Sequence, residues 1–581
     1  MFNSIRNWLC FTLLWPIAAY AQSPDFDVEL ASQGVNFLKT YCKRCHGDDA
    51  KYPGLDMMNR ATLLKPLDES EKPFVVPGDA AKSRLWDSVE TKYMPPERQP
   101  QPSDGDKEIV KKWIEAGAHF PPEIRAKREF RGEPSVLEAI ESDLRTLRDD
   151  EIPYTRYFSL AHLWNDTQGT EPTTEEDLRL VRAALAKLVN SLSVKSRIVA
   201  PRIVDKDFGT VLAIDMRHYG WDESHWNEVI KLYPYGLKVS GQAAANIYRL
   251  TETKIPYLRA DWFIAVASRP PLYHTLLNIP NNAKALETDL GVDIYANFEN
   301  GQLARAAFQK SGVSQQNRLV ERHDTKGAGR YYWKSYDMKP GTGEKGDFTR
   351  RPLGPPFEKL GATQLAAFQH DGGEIIWSLA NGLQAYMLVT GTDERIDSGP
   401  PEVVFDPNGH GGSVLITNGI SCMGCHKHGM FPLKNDDIRP LFENKRGQKF
   451  ADKVLELYPT NETMQSLVKR DRDVFMNALQ ECIGEFVQVG EDAKKPIAEF
   501  PEPITRMSNR YLQDVTIETA SRELGLSDAS ILTGLGQLRL FKDLGLSNWA
   551  NDGGTVARET WETAYGRFAR ELNIGVPIRV R

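Results

Sequence analysis

Apolar positions recur along this chain with two periods, and the change of period divides it. Near the N-terminus Leu30, Val35, Phe37 and Leu38 are the apolar members of a stretch, 29–41, whose spacing predicts a helix. Ser103 or Asp104 can cap a second helix over about 105–116, with Ile109, Val110, Trp113 and Ile114 as its apolar face. Residues 127–150 are rich in charge with leucine and isoleucine at helical spacing, and read as a connector. Thr173 and Glu176 form a possible capping box before Leu178, Val181, Leu185, Leu188, Val189 and Leu192, which predict an amphipathic helix. The period then falls to two. Strands are expected over 209–216, 331–336, 373–379, 383–389 and 401–405, with Asn381-Gly382 as a hairpin turn. After Pro432 the helical period returns over 437–442, 448–457, 463–484, 516–524, 530–544 and 556–572. The expected fold class is multidomain: an all-α domain over 22–122, an α+β domain with an antiparallel sheet over 123–432, and an all-α region over 433–581.

Composition narrows the classes. At 581 residues the chain is too long for one core, and 41% hydrophobic with 26% charged residues is ordinary globular make-up. Net charge is −7, no basic tail exists, and Lys and Arg are spread along the chain, so nucleic acid is not an expected partner. Residues 1–21 read as a secretory signal: Arg6 supplies the charge, an apolar run follows from Trp8 to Ala18, and Ala19-Tyr20-Ala21 is an A-x-A cleavage site. That run is short for a bilayer and no later stretch approaches a span, so an exported, periplasmic location with no membrane span is the expectation.

Cysteine usage changes the picture. Cys10 leaves with the signal, and Cys482, in the apolar stretch 475–487, reads as a buried structural thiol. The other four stand in Cys42-Lys-Arg-Cys45-His46 and Cys422-Met-Gly-Cys425-His426, each a CxxCH. On one helical turn, two thiols three positions apart can each form a thioether with a porphyrin vinyl group, and the histidine that follows lies under the iron. A redox CxxC, local disulfides or a four-cysteine zinc site would not need a histidine after both pairs. The expected cofactors are two covalent c-type haems, with His46 and His426 as proximal iron ligands.

The first hundred residues resemble the planctomycete-type cytochrome c domain, a class I cytochrome c. The matching pieces are 42–47, Pro77-Gly78-Asp79, Ser83-Arg84-Leu85-Trp86, Met94-Pro95-Pro96 and Trp113-Ile114-Glu115-Ala116-Gly117-Ala118. That resemblance implies Met94 as the distal ligand of haem 1. The prolines after Met94 favour a rigid loop, and soft sulfur opposite histidine favours Fe(II). Met57 and Met58 are rivals that follow His46 closely and fit better as wall residues; His119 is a weaker candidate. The stretch from Arg259-Ala260-Asp261-Trp262 through the second CxxCH resembles bacterial dihaem proteins that carry the same domain.

The sixth ligand of haem 2 is open. His428 and Met430 are tied to the proximal side, and Met464, Met476 and Met507 lie in stretches that read as helix interiors. His370, at a glycine turn before the hairpin, and then His323 are the candidates from the middle domain, as ligands or catalytic groups; His218 and His225 are further polar-aromatic histidines. No nucleotide-binding glycine fingerprint, Walker loop, nucleophile elbow or internal repeat is present. Three functions remain: an electron-transfer protein serving a redox partner protein or a small-molecule donor or acceptor, a dihaem oxidoreductase with an open second haem, and a scaffold with sensory or structural haems.

Overall fold

The computed structural model describes residues 28–43, 45–46, 57–58, 60–64, 73–120, 128–167, 172–309, 317–339, 347–355, 368–400, 404–406, 408–529, 532, 538–551 and 553–578. The expected signal segment, Cys10 and Gly47 lie outside the described residues, as does part of the helix expected over 530–544. The chain divides into two units, Met1–Arg125 and Ala126–Arg581.

The first unit is built on the crossing of α1 (Val28–Tyr41) and α2 (Asp104–Glu115). Ser103 caps α2 through its hydroxyl, while Asp106 returns a carboxylate to the Ser103 backbone, a reciprocal capping box. Leu38, Val110, Trp113 and Ile114 bury the shared seam. Gly34 makes the crossing close: a Cβ there would stand 2.2 Å from the Trp113 ring, so only a bare Cα lets the indole in. The indole N–H donates to the His119 carbonyl at 2.6 Å, and Tyr41 reaches Asp106 at 2.9 Å.

The second unit holds two larger sheets and a clasp between β4 (Leu237–Lys238) and β12 (Val576–Pro577). The smaller sheet runs β2 (Arg202–Ile203), β3 (Val211–Asp215), β1 (Thr155–Ser159), β5 (Tyr257–Arg259). Its β1–β5 pair is parallel, which corrects the expectation of antiparallel pairing alone. Nearly a hundred residues of chain separate those strands, ample for the crossover that parallel pairing needs.

The larger sheet is an antiparallel meander of β6 (Ala304–Phe308), β7 (Asn317–Asp324), β8 (Tyr331–Met338), β9 (Gly372–Ser378), β10 (Gln384–Thr390) and β11 (Arg395–Ile396). The hairpin at Asn381-Gly382 is present, but as a three-residue loop: Leu379 and Leu383 close it, and only Gly382 takes a positive φ, +89°. Of the strand expected over 401–405, residues 404 and 405 are described and carry none.

Helices cover this framework. They include α3 (Glu133–Leu144), α4 (Glu175–Ser191), α5 (Ala260–Ala267), α6 (Leu272–Leu276), α7 (Ile420–Cys425), α8 (Asn461–Val487), α9 (Pro503–Tyr511) and α10 (Arg558–Glu571). The cap of α4 is Thr174 with Asp177, one residue beyond the expected Thr173 and Glu176. Residues 433–581 do not stand apart as a helical region. Val468, Phe475, Ile504 and Phe568 share one core with Phe158, Leu185, Trp262 and Tyr386. Among the described residues no helix is long and apolar enough to cross a membrane.

Two buried polar contacts yield predictions. Lys187 on α4 meets Glu502 at 2.7 Å, both nearly solvent-free, and the same carboxylate caps α9 through the Thr505 N–H. Lys187→Met should cost about 3–5 kcal/mol by leaving a buried charge unpaired. Lys187→Met with Glu502→Gln should recover much of it, as measured by denaturant unfolding. His274 on α6 accepts the Asn418 amide at 2.6 Å, and burial drives its imidazole down to about 4, Arg395 adding to the shift and Asp397 opposing it. Because the unfolded chain takes up that proton first, the stability it contributes is present above about pH 6.5 and falls as pH drops toward 4. The loss is about 1.4 kcal/mol per pH unit, so His274→Gln should lose about 2 kcal/mol less than the parent between pH 6.5 and 5.

Candidate functional site

The first CxxCH continues α1 as a turn. The Cys42 N–H reaches back to the Leu38 carbonyl at 2.9 Å, and both Cys45 and His46 donate to the Cys42 carbonyl, at 3.1 and 3.0 Å. Burial and the neighbouring Cys45 push the Cys42 thiol up to about 12. A redox CxxC needs the opposite, a depressed thiol beside positive charge. Met57 donates its N–H to the His46 carbonyl at 2.8 Å, which ties it to the chain leaving the motif and suits a wall residue. Met94 follows the helix Arg84–Glu90, whose Leu85 and Val89 sit in the unit's core; its N–H returns to the Ser88 carbonyl at 2.9 Å. The Gln101 amide donates to the carbonyls of Pro95 and Pro96 and fixes the loop from outside.

In the second unit, Cys422 and Cys425 lie on α7 and His426 caps it, with its N–H on the Cys422 carbonyl at 2.8 Å. The ring's Nδ1 donates to the Gly429 carbonyl at 3.2 Å. That bond places the proton on Nδ1 and leaves the lone pair on Nε2, the tautomer an iron ligand requires. The Tyr386 and Phe431 rings flank the imidazole, at centroid distances of 6.0 and 4.8 Å. Burial raises the Cys422 thiol well above its ordinary value and takes Cys425 to about 12. A buried and a half-buried thiol, both held protonated, and an imidazole with its Nδ1 proton on Gly429 stand on one turn and fit covalent haem.

Two elements close on this motif. Sheet alternation sends Glu374, Ile376, Tyr386 and Leu388 to one side, as the cross-strand pairs Glu374–Leu388 and Ile376–Tyr386 show. On that side the Glu374 carboxylate stands 3.7 Å from His426 Nε2. From the other direction comes His410. A Cβ on Gly424 would stand 2.6 Å from its ring, so the glycine between the two cysteines lets His410 lie on the motif. Its Nδ1 is 3.7 Å from Cys425 Sγ and 3.1 Å from the buried Asp406 carboxylate. Asp406, His410 and Cys425 bring donor atoms within 4.8 Å of one another.

The histidines favoured by sequence lie elsewhere. His370 packs edge-to-face on Tyr336 at 5.0 Å, and Tyr336 points with Lys334 and Ile375 to the sheet side opposite Glu374. Its Nε2 is buried without a hydrogen-bond partner among the described residues. His323 is on that same side, joined to Glu321 at 2.8 Å and to Asn297 at 3.0 Å. The structure brings neither to His426, because one residue of pleat separates Glu374 from Ile375. His225 hydrogen-bonds Asp222 at a helix start and His218 is exposed. Met430, Met464 and Met507 are core residues, and Cys482 is fully buried. Glu374, Asp406 and His410 carried no sequence signal that singled them out: one carboxylate in an alternating strand, two polar residues in an irregular loop. Only the Cys-Met-Gly-Cys spelling hinted that something approaches Gly424.

No protein of curated function and no solved structure matches this chain. Residues 42–98 match the family model of planctomycete cytochrome C, the segment that runs from the first CxxCH through Met94. The chain therefore carries an N-terminal cytochrome c-type domain of the planctomycete family, and with it the covalently bound haem that such a domain implies.

Proposed function

We propose that this chain is an exported dihaem c-type cytochrome that transfers electrons. The observation that carries the reading is the repeated CxxCH, the second presented by an imidazole whose Nδ1 is already bonded to Gly429. Cys42, Cys45 and His46 would hold one haem, with Met94 as its distal ligand; Cys422, Cys425 and His426 would hold the other. Bound haem iron supplies one-electron exchange between Fe(III) and Fe(II). The protein's part is to tune and protect it. Met94, a soft sulfur donor in a loop pinned by Gln101, raises the potential of the first site. The buried Tyr386 ring shields the His426 imidazole from water on one side, while Phe431 packs against it from the exposed side. Export supports the same reading, since the stretch 1–21 reads as a signal and c-type haem is attached outside the bacterial cytoplasm. The partners are a redox protein or a small-molecule donor or acceptor.

A second reading, a dihaem oxidoreductase, draws on Glu374. A carboxylate beside His426 Nε2 is an acid–base group that simple electron carriage does not need. Turnover of hydrogen peroxide by the purified protein separates the two: measurable turnover favours the oxidoreductase, and none favours the carrier.

Intact-mass measurement should find two covalent haems. Cys42→Ala with Cys45→Ala should leave one, as should Cys422→Ala with Cys425→Ala; a chain with no added haem mass refutes the proposal. Met94→Ala should abolish the sulfur-to-iron charge-transfer absorption in the far red and lower one of two midpoint potentials, leaving the other in place. Loss of that band in Met57→Ala instead would move the ligand assignment.

A further inference from the structure

The residues after the second CxxCH supply no loop like that of Met94. Met430 is buried in the core, and the chain then enters the stretch that leads to α8. His370 and His323 lie on the opposite side of the sheet. What does face His426 Nε2 is an oxygen, Glu374 Oε2, at 3.7 Å. Bonds of about 2 Å from a first-row metal to nitrogen and to oxygen put two trans ligands about 4 Å apart. The pair is therefore spaced as the two axial ligands of a single iron would be.

The sheet holds that carboxylate in place. Glu374 lies within the paired part of β9 and β10, opposite Leu388, where strand register cannot slip by one residue without turning the side chain to the opposite face. Behind it Arg318, clamped by Asp337 through contacts of 2.6 and 3.1 Å, directs positive charge at the same side. His410 is the rival, but its Nδ1 is turned to Asp406 and Cys425 Sγ, whereas Glu374, which also bonds the Cys422 thiol, is the side chain that stands beside Nε2.

We propose that Glu374 supplies the sixth ligand of the second haem iron, a carboxylate oxygen opposite His426. The inference rests on the dihaem reading and goes beyond it by naming the donor. An anionic oxygen is a weak-field, hard ligand; it leaves ferric iron high-spin and stabilises Fe(III) over Fe(II). The second site then differs from the first in both spin and potential.

The test uses the full-length, haem-loaded protein. In the oxidised parent, EPR should show one low-spin centre and one high-spin centre. Glu374→Ala and Glu374→Gln should each keep two haems by mass, alter the high-spin signal alone and raise only the lower midpoint potential. Added imidazole should bind the ferric second site at least tenfold more tightly in Glu374→Ala, because no internal ligand competes. The proposal is overturned if the parent shows two low-spin centres, if both Glu374 variants leave spectrum, potential and imidazole affinity unchanged, or if His410→Ala produces these changes instead. A parent chain with one haem overturns the dihaem reading itself, a result distinct from the others. Should Glu374→Ala fail to fold, the parent spectrum and the Gln variant still decide.

Discussion

Three attachment points on a flat ring, all drawn from five consecutive residues, leave the chain almost no local freedom. Two sulfurs and one imidazole nitrogen must leave a single turn in one direction. The rest of the fold must then leave a slot that side chains do not fill. At the second motif the turn is set by α7 and by the bond from His426 Nδ1 to the Gly429 carbonyl. Without that bond the ring could rotate or carry its proton on Nε2, and the motif would keep its spelling while losing its chemistry. Under the proposed dihaem reading the two units would meet the same demand with different material. The first uses two helices brought close by Gly34 beneath Trp113, and the second uses a β-sheet facing α7.

A sheet with charge on both faces depends on parity. One side carries the buried pairs Arg305–Glu321, with His323 bonded to the same carboxylate, and Lys334 with Glu287. The other carries Arg318–Asp337 and Glu374. Each ion is costly to bury alone, and each is matched within its own side. A slip of one residue anywhere in β7, β8 or β9 would exchange the two sets and strand every one of them. These charges are thus better understood as fixing register than as adding stability.

This parity also explains what could be read from the chain. Helices with a wide apolar stripe and a capping residue were legible, as Ser103 with Asp106 shows, and the hairpin at Asn381-Gly382 was placed correctly. Ends were less so. Thr173 and Thr174 are equally good caps by type, and only the position of Asp177 decides between them. The parallel partner of β1 was invisible because strand direction leaves no trace in a short apolar run. The motif cysteines and histidines were legible as a pattern, since their spacing alone suggests the chemistry proposed for them. The residue opposite His426 was not. His370 drew notice as a histidine at a glycine turn, while Glu374 looked like the polar half of an alternating strand. Which of them faces α7 depends on pairing with Tyr336 and Tyr386, residues distant in sequence.

The C-terminal helices owe their place to a second set of buried charges. Arg259, at the end of β5, binds Asp261 on α5 and reaches Glu523 at 2.6 Å; Glu523 in turn holds Arg558 of α10 at 2.7 Å and accepts the Trp561 indole N–H. Asp261 also meets His162 at 2.9 Å. The chain of contacts runs from residue 162 to residue 561 and crosses the boundary expected at 432. An apolar seam of equal area would hold the helices at least as firmly, but it would tolerate many docking angles. Fixed charges accept one. The α5 segment in this network leads into α6, which delivers Tyr273, whose hydroxyl accepts the Tyr386 backbone N–H at 2.9 Å, and His274, which holds Asn418 just ahead of α7. Through these contacts the helices after residue 432 brace the sheet and the turn that present His426, which accounts for their bulk without assigning them chemistry of their own.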